Sequence, residues 1–389
     1  MNFEIAVEQA QMQETARRIA MEFGLEYWRR LDEAHEFPLE MWHALCSAGI
    51  AGASLPVEAG GSGSMLDLVL MLEALTENGA GLPLAQLFML NPVFGGRAVS
   101  AFGTDAMRRD LLSGLADGSV LMSFALTEPN SGNNALDIRT RAMPHGDGWR
   151  LSGQKVWISG FDMATHLLIV ARTSSPGPAA RKSDGISMFL IDARRAGIKA
   201  ARIAKAGTHP VSAFTLFLDE VEVRPDECIG TLDRAWPELL QLLNAERIVT
   251  AAGLVGTGRL AVSLACAYVR ERRIFGAKAI GSYQGVQFPL ARSAAELDGA
   301  RLMNRQAAWL MDAGKPFGRE ANAAKFLAAE AACAACDRAM QVMGGVGYAA
   351  EFHVERLWRD ARVFAIAPVP QELILSFIAV HELGLPRSH

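Results

Sequence analysis

The sequence is short of cysteine, has no excess of charge of one sign and lacks metal-binding spacings, and each shortage excludes a class of protein. Its 389 residues carry five scattered cysteines, an odd number that does not suit a disulfide framework. Lys and Arg number 38 against 42 acidic residues, so no basic face for nucleic acid is expected. The eight histidines have no ligand spacing, and the pair Cys333 and Cys336 has no second pair or nearby histidine. We therefore expect no metal site, and a reducing compartment such as the cytoplasm.

Long hydrophobic runs are also missing. The longest uncharged run, residues 78–96, contains Pro83, Asn91 and Pro92, so a buried loop and helix are expected rather than a membrane span. The N-terminal residues carry acidic side chains and no apolar core of the signal-peptide type. Half of all residues are hydrophobic and 21% are charged, which is typical of a folded chain and excludes a disordered one. At about 150 residues per domain, the length suggests two or three domains.

The hydrophobic pattern changes twice along the chain. Residues 1–118 have helical periodicity, and residues 119–230 contain short β-prone runs separated by turn residues. Helical periodicity returns over residues 231–389, where Gly253, Gly256 and Gly258 indicate close helix packing. These three ranges are the predicted domains: an α-helical domain, a β domain and a helical bundle.

Few chemical motifs stand out from this pattern. The sequence has no G-x-S-x-G elbow, no Walker phosphate loop and no H-E-x-x-H pair. The segment 127–134 (TEPNSGNN) is a turn-rich loop whose hydroxyl, amide and N–H groups also suit a polar cofactor edge. The segment 155–159 (KVWIS) is an amphipathic strand in which Trp157 also suits stacking on a flat aromatic ring.

The order of these segments resembles the acyl-CoA dehydrogenase family. The similarity includes the loop 54–63 (SLPVEAGGSG), the two segments above and residues 218–225 (LDEVEVRP). It continues through the C-terminal third with the following segments: 246–247 (ER), 271–276 (ERRIFG), 283–284 (YQ), 341–345 (QVMGG) and 359–361 (RDA). The agreement of several motifs in one order over three regions identifies the chain as a member of this family.

The resemblance implies an α+β multidomain fold, with an N-terminal helical domain, a middle β-barrel-like domain and a C-terminal four-helix bundle. It also implies FAD as cofactor, an acyl-CoA thioester as substrate and a homotetramer or dimer. The residues implied to hold FAD from the middle domain are Leu126, Thr127, Asn133, Trp157 and Ser159. Those implied to contact the FAD of an adjacent subunit are Arg272, Phe275, Gln284, Gln341, Gly344 and Gly345.

The resemblance implies α,β-dehydrogenation of an acyl-CoA thioester to a 2-enoyl-CoA. This reaction needs a carboxylate base near the substrate α-carbon, in a dry site that raises the pKa of the base. Where the family commonly has Tyr-Glu-Gly-Thr, with that Glu as the base, residues 367–370 read Ala-Pro-Val-Pro, and Pro368 accepts no proton. Glu246 stands where some relatives, of the isovaleryl and long-chain types, keep their base. Asn244 and Arg247 are then expected to contact the substrate. The alternative is that Glu246 forms an ordinary intrahelical or surface ion pair.

Two other functions remain open from the sequence. The lost glutamate also fits an impaired or partner subunit of a hetero-oligomeric acyl-CoA dehydrogenase. A flavin-dependent reductase or oxidase of CoA thioesters would keep the same cofactor and substrate class. In the leading hypothesis, electrons pass from an active dehydrogenase to an electron-transferring flavoprotein.

Overall fold

The computed structural model describes residues 4–175, 177, 180–276 and 278–387. Helices build the first part of the chain because its apolar residues recur at helical spacing. Ser64 and Thr104 each accept a hydrogen bond at a helix N-terminus, from Asp67 and Met107 backbone N–H groups respectively. These helices are α1 (Val7–Ala34), α2 (Leu39–Ser47), α3 (Met65–Leu75), α4 (Gly81–Phe88), α5 (Ala98–Phe102) and α6 (Asp105–Asp117).

The long uncharged run is buried inside this helical part, as expected. It forms α4 and two flanking π-helical segments, Thr76–Ala80 and Met89–Arg97. Pro92 lies within the second π-helical segment, where the missing N–H is accommodated by the irregular hydrogen bonding.

The middle of the chain forms one twisted sheet. The strands are β1 (Met122–Ala125), β2 (Arg141–His145), β3 (Gly148–Ser159), β4 (His166–Arg172), β5 (Ile186–Asp192), β6 (Ile198–Arg202), β7 (Ala213–Val223) and β8 (Cys228–Ile229). Their spatial order is β6-β7-β3-β2-β4-β5-β8, and β1 pairs in parallel with β4. Two of the short β-prone runs within residues 119–230, at 149–152 and 155–158, belong to the single strand β3. Gly153 marks a bulge there, because the register with β7 shifts between Leu151 and Gly153.

The last part of the chain is a helical bundle. Its helices are α7 (Trp236–Glu271), α8 (Gln284–Asp312), α9 (Gly318–Met343), α10 (Gly345–Tyr348), α11 (Val354–Ile366) and α12 (Gln371–His381). The helices α7, α8, α9 and α11 pack together as the predicted four-helix bundle. Helices α7 and α9 run parallel, because Gly318 lies against Asn244 at one level and Ala332 lies against Gly258 fourteen residues further along both helices. Helix α8 runs antiparallel to them, since Gly281 contacts Val269 and Leu297 contacts Gly258.

Helix α7 is the central element of the molecule. A Cβ on Gly258 would lie 2.7 Å from the Leu297 side chain, and one on Gly253 or Gly256 would meet the N-terminal helices closer still. The predicted close packing at these glycines is thus confirmed. By length and apolar composition α7 is also long enough to cross a membrane, but 78% of its most apolar window is buried within the fold. It is therefore a core helix of this fold.

The sheet and the bundle meet at the beginning of α7. The Ala235 N–H donates to the Ile186 carbonyl on β5 (3.0 Å), which ties the start of α7 to the sheet. Leu242 and Leu243 of α7 belong to the same buried hydrophobic cluster as Leu126, the residue that follows β1. The N-terminal half of α7 and the end of β1 therefore border one region of the molecule.

Candidate active site

Glu246 lies inside the fold, about one helical turn beyond Leu242 and Leu243. The residue is fully buried, and its Oε1 accepts a hydrogen bond from the Thr250 hydroxyl one turn along α7. Its other oxygen, Oε2, is also buried and has no hydrogen-bond partner among the described residues. A buried carboxylate oxygen without a partner is costly, so it marks a position where a further group is expected to bind.

The charge on Glu246 is set by burial and by two cations. Burial raises the pKa of Glu246, while the Thr250 hydrogen bond and the charges of Arg247 and Lys325 act in the opposite direction. Among the described residues no cation lies within 4 Å of the Glu246 carboxylate. The ordinary ion-pair alternative therefore does not fit, whereas a base with a raised pKa does.

Asn244 and Arg247 are next to Glu246 but engage each other. The Arg247 Nη1 donates to the Asn244 side-chain oxygen, and the buried Arg247 Nε has no partner among the described residues. Burial lowers the pKa of Arg247 from its ordinary value. Contact of Asn244 and Arg247 with the substrate remains a prediction. The Arg247 Nε, which has no partner among the described residues, is the donor available for that contact.

Residues 367–370 close the same region from another side. Pro368 is exposed, and the Val369 carbonyl accepts a hydrogen bond of 2.6 Å from the buried ammonium of Lys325 on α9. The segment therefore contributes backbone rather than a carboxylate.

A second group of predicted residues lies at the end of β1. The Val156 N–H donates to the Thr127 carbonyl (2.9 Å), so the loop after β1 is attached to β3. The Lys155 ammonium, fully buried, donates to the Leu126 carbonyl (2.9 Å) and to Glu128 (2.8 Å). Burial lowers the pKa of Lys155 to about 8, against the charge of Glu128. This buried pair holds Leu126 and Thr127 in place.

Trp157 presents an uncovered aromatic face beside that loop. The residue is 57% exposed although it sits inside β3, and its φ of 62° is rare for a residue other than glycine. Ser159, on the same strand, is partly buried, and its carbonyl accepts from the Ser123 hydroxyl (2.8 Å). Asn133 is exposed in the loop. An open indole next to hydroxyl and amide groups fits the flat ring and polar edge of a flavin.

The remaining predicted FAD residues collect at the far end of the bundle. Parallel α7 and α9 end there and antiparallel α8 begins there, so the sequence-distant residues come together. All six are exposed: Arg272, Phe275, Gln284, Gln341, Gly344 and Gly345. Phe275 is 99% exposed at a φ of 51°, and a Cβ on Gly344 or Gly345 would meet no atom within 4 Å. These residues form an open, solvent-facing surface.

The two groups of predicted residues do not meet within one chain. Arg272 follows Glu246 by 26 positions along α7, which at 1.5 Å per residue separates them by about 39 Å. The structure thus packs Leu126 near the Glu246 end of α7 and leaves the other group at the opposite end.

Sequence reasoning missed Thr250, Lys325 and the buried pair of Lys155 and Glu128. Thr250 was detectable, since it stands four residues after Glu246 and so on the same helix face. Lys325 gave only a weak signal, as a single cation in an alanine-rich helix. Among the described residues no group of His, Cys, Asp and Glu side chains has the arrangement of a metal site.

Three domain models of one family match nearly the whole chain. They are described as acyl-CoA dehydrogenase, N-terminal domain (residues 6–119), middle domain (123–221) and C-terminal domain (234–381). The chain is 38% identical to acyl-CoA dehydrogenase FadE12 of Mycobacterium tuberculosis over 94% of each chain. It is 30% identical to the caffeyl-CoA reductase-Etf complex subunit CarC of Acetobacterium woodii, over 90% of this chain and 92% of that one. The solved glutaryl-coenzyme A dehydrogenase in its glutaryl-CoA complex superposes with a TM-score of 0.93 at 28% identity, covering 100% of this chain and 98% of that one.

Proposed function

This chain belongs to the acyl-CoA dehydrogenase family, and on that premise we propose that it oxidises an acyl-CoA thioester to the 2-enoyl-CoA with Glu246 as the base. One observation carries the assignment of the base. Glu246 is fully buried, with one oxygen fixed by Thr250 and the other without a partner among the described residues. Such an oxygen is available to take the proton from the substrate α-carbon.

The surroundings of Glu246 prepare it for this step. Burial makes the ionised carboxylate less stable, which strengthens it as a base, and raises its pKa toward the working pH. The Thr250 hydroxyl fixes Oε1 of the carboxylate, which leaves Oε2 as the oxygen that would take the proton. The charge of Arg247 limits this rise in the pKa of Glu246 and so favours the ionised form. The Arg247 Nε and the Asn244 amide would bind polar atoms of the substrate.

FAD fits the residues at the end of β1. Trp157 and Ser159 would line its ring system, and Leu126, Thr127 and Asn133 would border it from the loop. The chemistry that FAD supplies when bound is acceptance of the hydride that leaves the substrate β-carbon. The role of the chain is to exclude water and to hold the two substrate carbons between Glu246 and this surface.

The opposite end of the bundle supports an oligomer. Arg272 lies about 39 Å along α7 from Glu246, and Phe275 and Gln341 are exposed at the same end of the bundle, so these residues would reach an FAD held by a second copy rather than by their own chain. A guanidinium such as that of Arg272 is suited to pyrophosphate oxygens. A homotetramer or dimer satisfies this arrangement, and the mass of the purified protein by light scattering distinguishes it from a monomer or a hetero-oligomer.

Electrons would leave through an electron-transferring flavoprotein. This is supported by the CarC relative, whose own name places it in a complex with such a protein. The five free thiols support a reducing compartment, and we propose the cytoplasm.

The test is anaerobic bleaching of the protein's flavin by a panel of short, branched, long and steroidal acyl-CoAs. Glu246→Gln is expected to keep FAD but to slow bleaching by at least about 100-fold, the contribution typical of a general base. The matched control is Glu73→Gln, which neutralises another buried glutamate whose pKa is raised by burial and whose partner is Arg305. Bleaching by Glu246→Gln at the wild-type rate would refute the role of Glu246.

A reductase is the second candidate, because the CarC relative is named a reductase of a CoA thioester. The same residues would then serve the reverse direction, with protonated Glu246 delivering a proton to the α-carbon. Oxidation of the reduced flavin by enoyl-CoAs, faster than its bleaching by any saturated acyl-CoA, would favour this direction.

A further inference from the structure

A buried lysine on α9 faces the site and has no role in the reaction derived above. Lys325 is fully buried, and its Nζ donates to the Val369 carbonyl at 2.6 Å. An ammonium has three donors, and this is the one hydrogen bond found for it in the described part of the chain. Burying a lysine is costly, so a neighbouring negative charge or polar ligand is expected.

The alignment of the parallel helices α7 and α9 shows which acidic residue lies near the Lys325 ammonium. Gly318 lies against Asn244 and Ala332 against Gly258, so residues of α9 face residues of α7 numbered 74 lower. The backbone of Lys325 is therefore level with residue 251. Side chains in a helix lean toward its N-terminus, which brings the ammonium back toward the level of Glu246.

We infer that Lys325 is a positioning residue for the base: its ammonium ties residues 367–370 to the bundle core and keeps Glu246 ionised in a buried site. The inference rests on the proposed function of Glu246. It also gives a role to the segment that lacks the family's usual glutamate, since Val369 supplies the carbonyl that holds the cation beside the relocated base.

The charges around the pair are consistent with this role. Burial lowers the pKa of Lys325 to about 8, whereas Glu246 favours its charged form. The other titratable groups acting on Lys325 are Arg247 from α7, Cys333 from its own helix and Glu372 from α12. Thr250 and Arg247 are the remaining groups that act on Glu246. The loss of Lys325 would therefore leave Arg247 as the only cation in this set opposing the effect of burial on Glu246.

The experiment is the pH dependence of flavin bleaching by the best acyl-CoA, in the FAD-loaded protein. In Lys325→Met the acidic limb of the profile is expected to move to higher pH by at least about one unit, the effect of losing one nearby opposite charge. Lys325→Arg is expected to restore most of the shift. Lys205→Met is the matched control: Lys205 is a half-buried lysine whose pKa is also lowered to about 8, but Glu246 is not among the charges acting on it. Its profile should keep the wild-type limb.

A second measurement does not depend on activity. Thermal unfolding of Lys325→Met, Glu246→Gln and the double variant should show that the double variant is less destabilised than the sum of the single changes, because each single change leaves the other buried group without an opposite charge that favours its ionised form. An unmoved acidic limb in FAD-replete Lys325→Met overturns the inference, and so do additive losses in melting temperature. A Glu246→Gln protein that bleaches normally refutes the proposed base instead, so the two failures are distinguishable.

Discussion

Thr250 offers the sharpest test of how the site prepares its base. Thr250→Val keeps the shape of the side chain and removes only the hydroxyl that donates to Glu246 Oε1. The second contact of this hydroxyl, with the Met89 sulfur at 3.4 Å, is weak by comparison. The variant therefore changes one strong hydrogen bond inside a fully buried region.

The size of the effect follows from the charge on the acceptor. A hydrogen bond to a charged group is worth about 1.5–3 kcal/mol, and one pKa unit corresponds to about 1.4 kcal/mol. Removing a donor to the ionised form should thus raise the pKa of Glu246 by about one to two units above its already raised value. Below the new pKa the base is protonated, so the acidic limb of the bleaching rate should move to higher pH by the same amount.

The assay is the rate of anaerobic flavin bleaching as a function of pH. Thr257→Val is the control, because Thr257 is a fully buried threonine on the same helix whose hydroxyl has no partner among the described residues. Its profile should match that of the wild type. An unchanged acidic limb in Thr250→Val, or an equal shift in both variants, would show that the hydroxyl does not act on the base.

Two further predictions concern stability. Gly256→Ala should lower the free energy of unfolding by about 1–3 kcal/mol, because the added Cβ would overlap atoms of the N-terminal helices. Gly299 is exposed on α8, and a Cβ added there would meet no atom within 4 Å. Gly299→Ala should therefore raise the free energy of unfolding by up to about 1 kcal/mol. Burial opposes the ionisation of Asp32, but the His209 ring at 3.2 Å and the hydrogen bond and charge of Arg359 lower its pKa from 3.8 to about 2. The stability it contributes is therefore present above pH 3.8 and lost as the pH falls toward 2. Asp32→Asn should cost on the order of 2 kcal/mol at neutral pH and flatten the acid limb of a urea-denaturation series, and an unaltered limb would contradict this.

The three-part architecture was predictable because it depends on local periodicity. Helical spacing before residue 118 and after residue 231, and short β-prone runs between them, match the helices and the sheet that form there. Gly153 shows the limit of such reasoning. A glycine between two short runs indicates a turn, but neighbouring strands absorb it as a bulge within β3. The domain boundaries at 118/119 and 230/231 stay predictions.

Some features of the candidate site were also predictable from the sequence, and others depend on the fold. The sequence by itself determined the family, the motif order and the loss of a carboxylate at Pro368, because residue identities carry that information. Only the tertiary structure decided that Glu246 is buried, that Thr250 and Lys325 act on it, and that Leu126 and Arg272 lie at opposite ends of α7. Burial, a charge acting between two helices and a separation along α7 all depend on how distant segments pack. Local spacing along the chain cannot specify them.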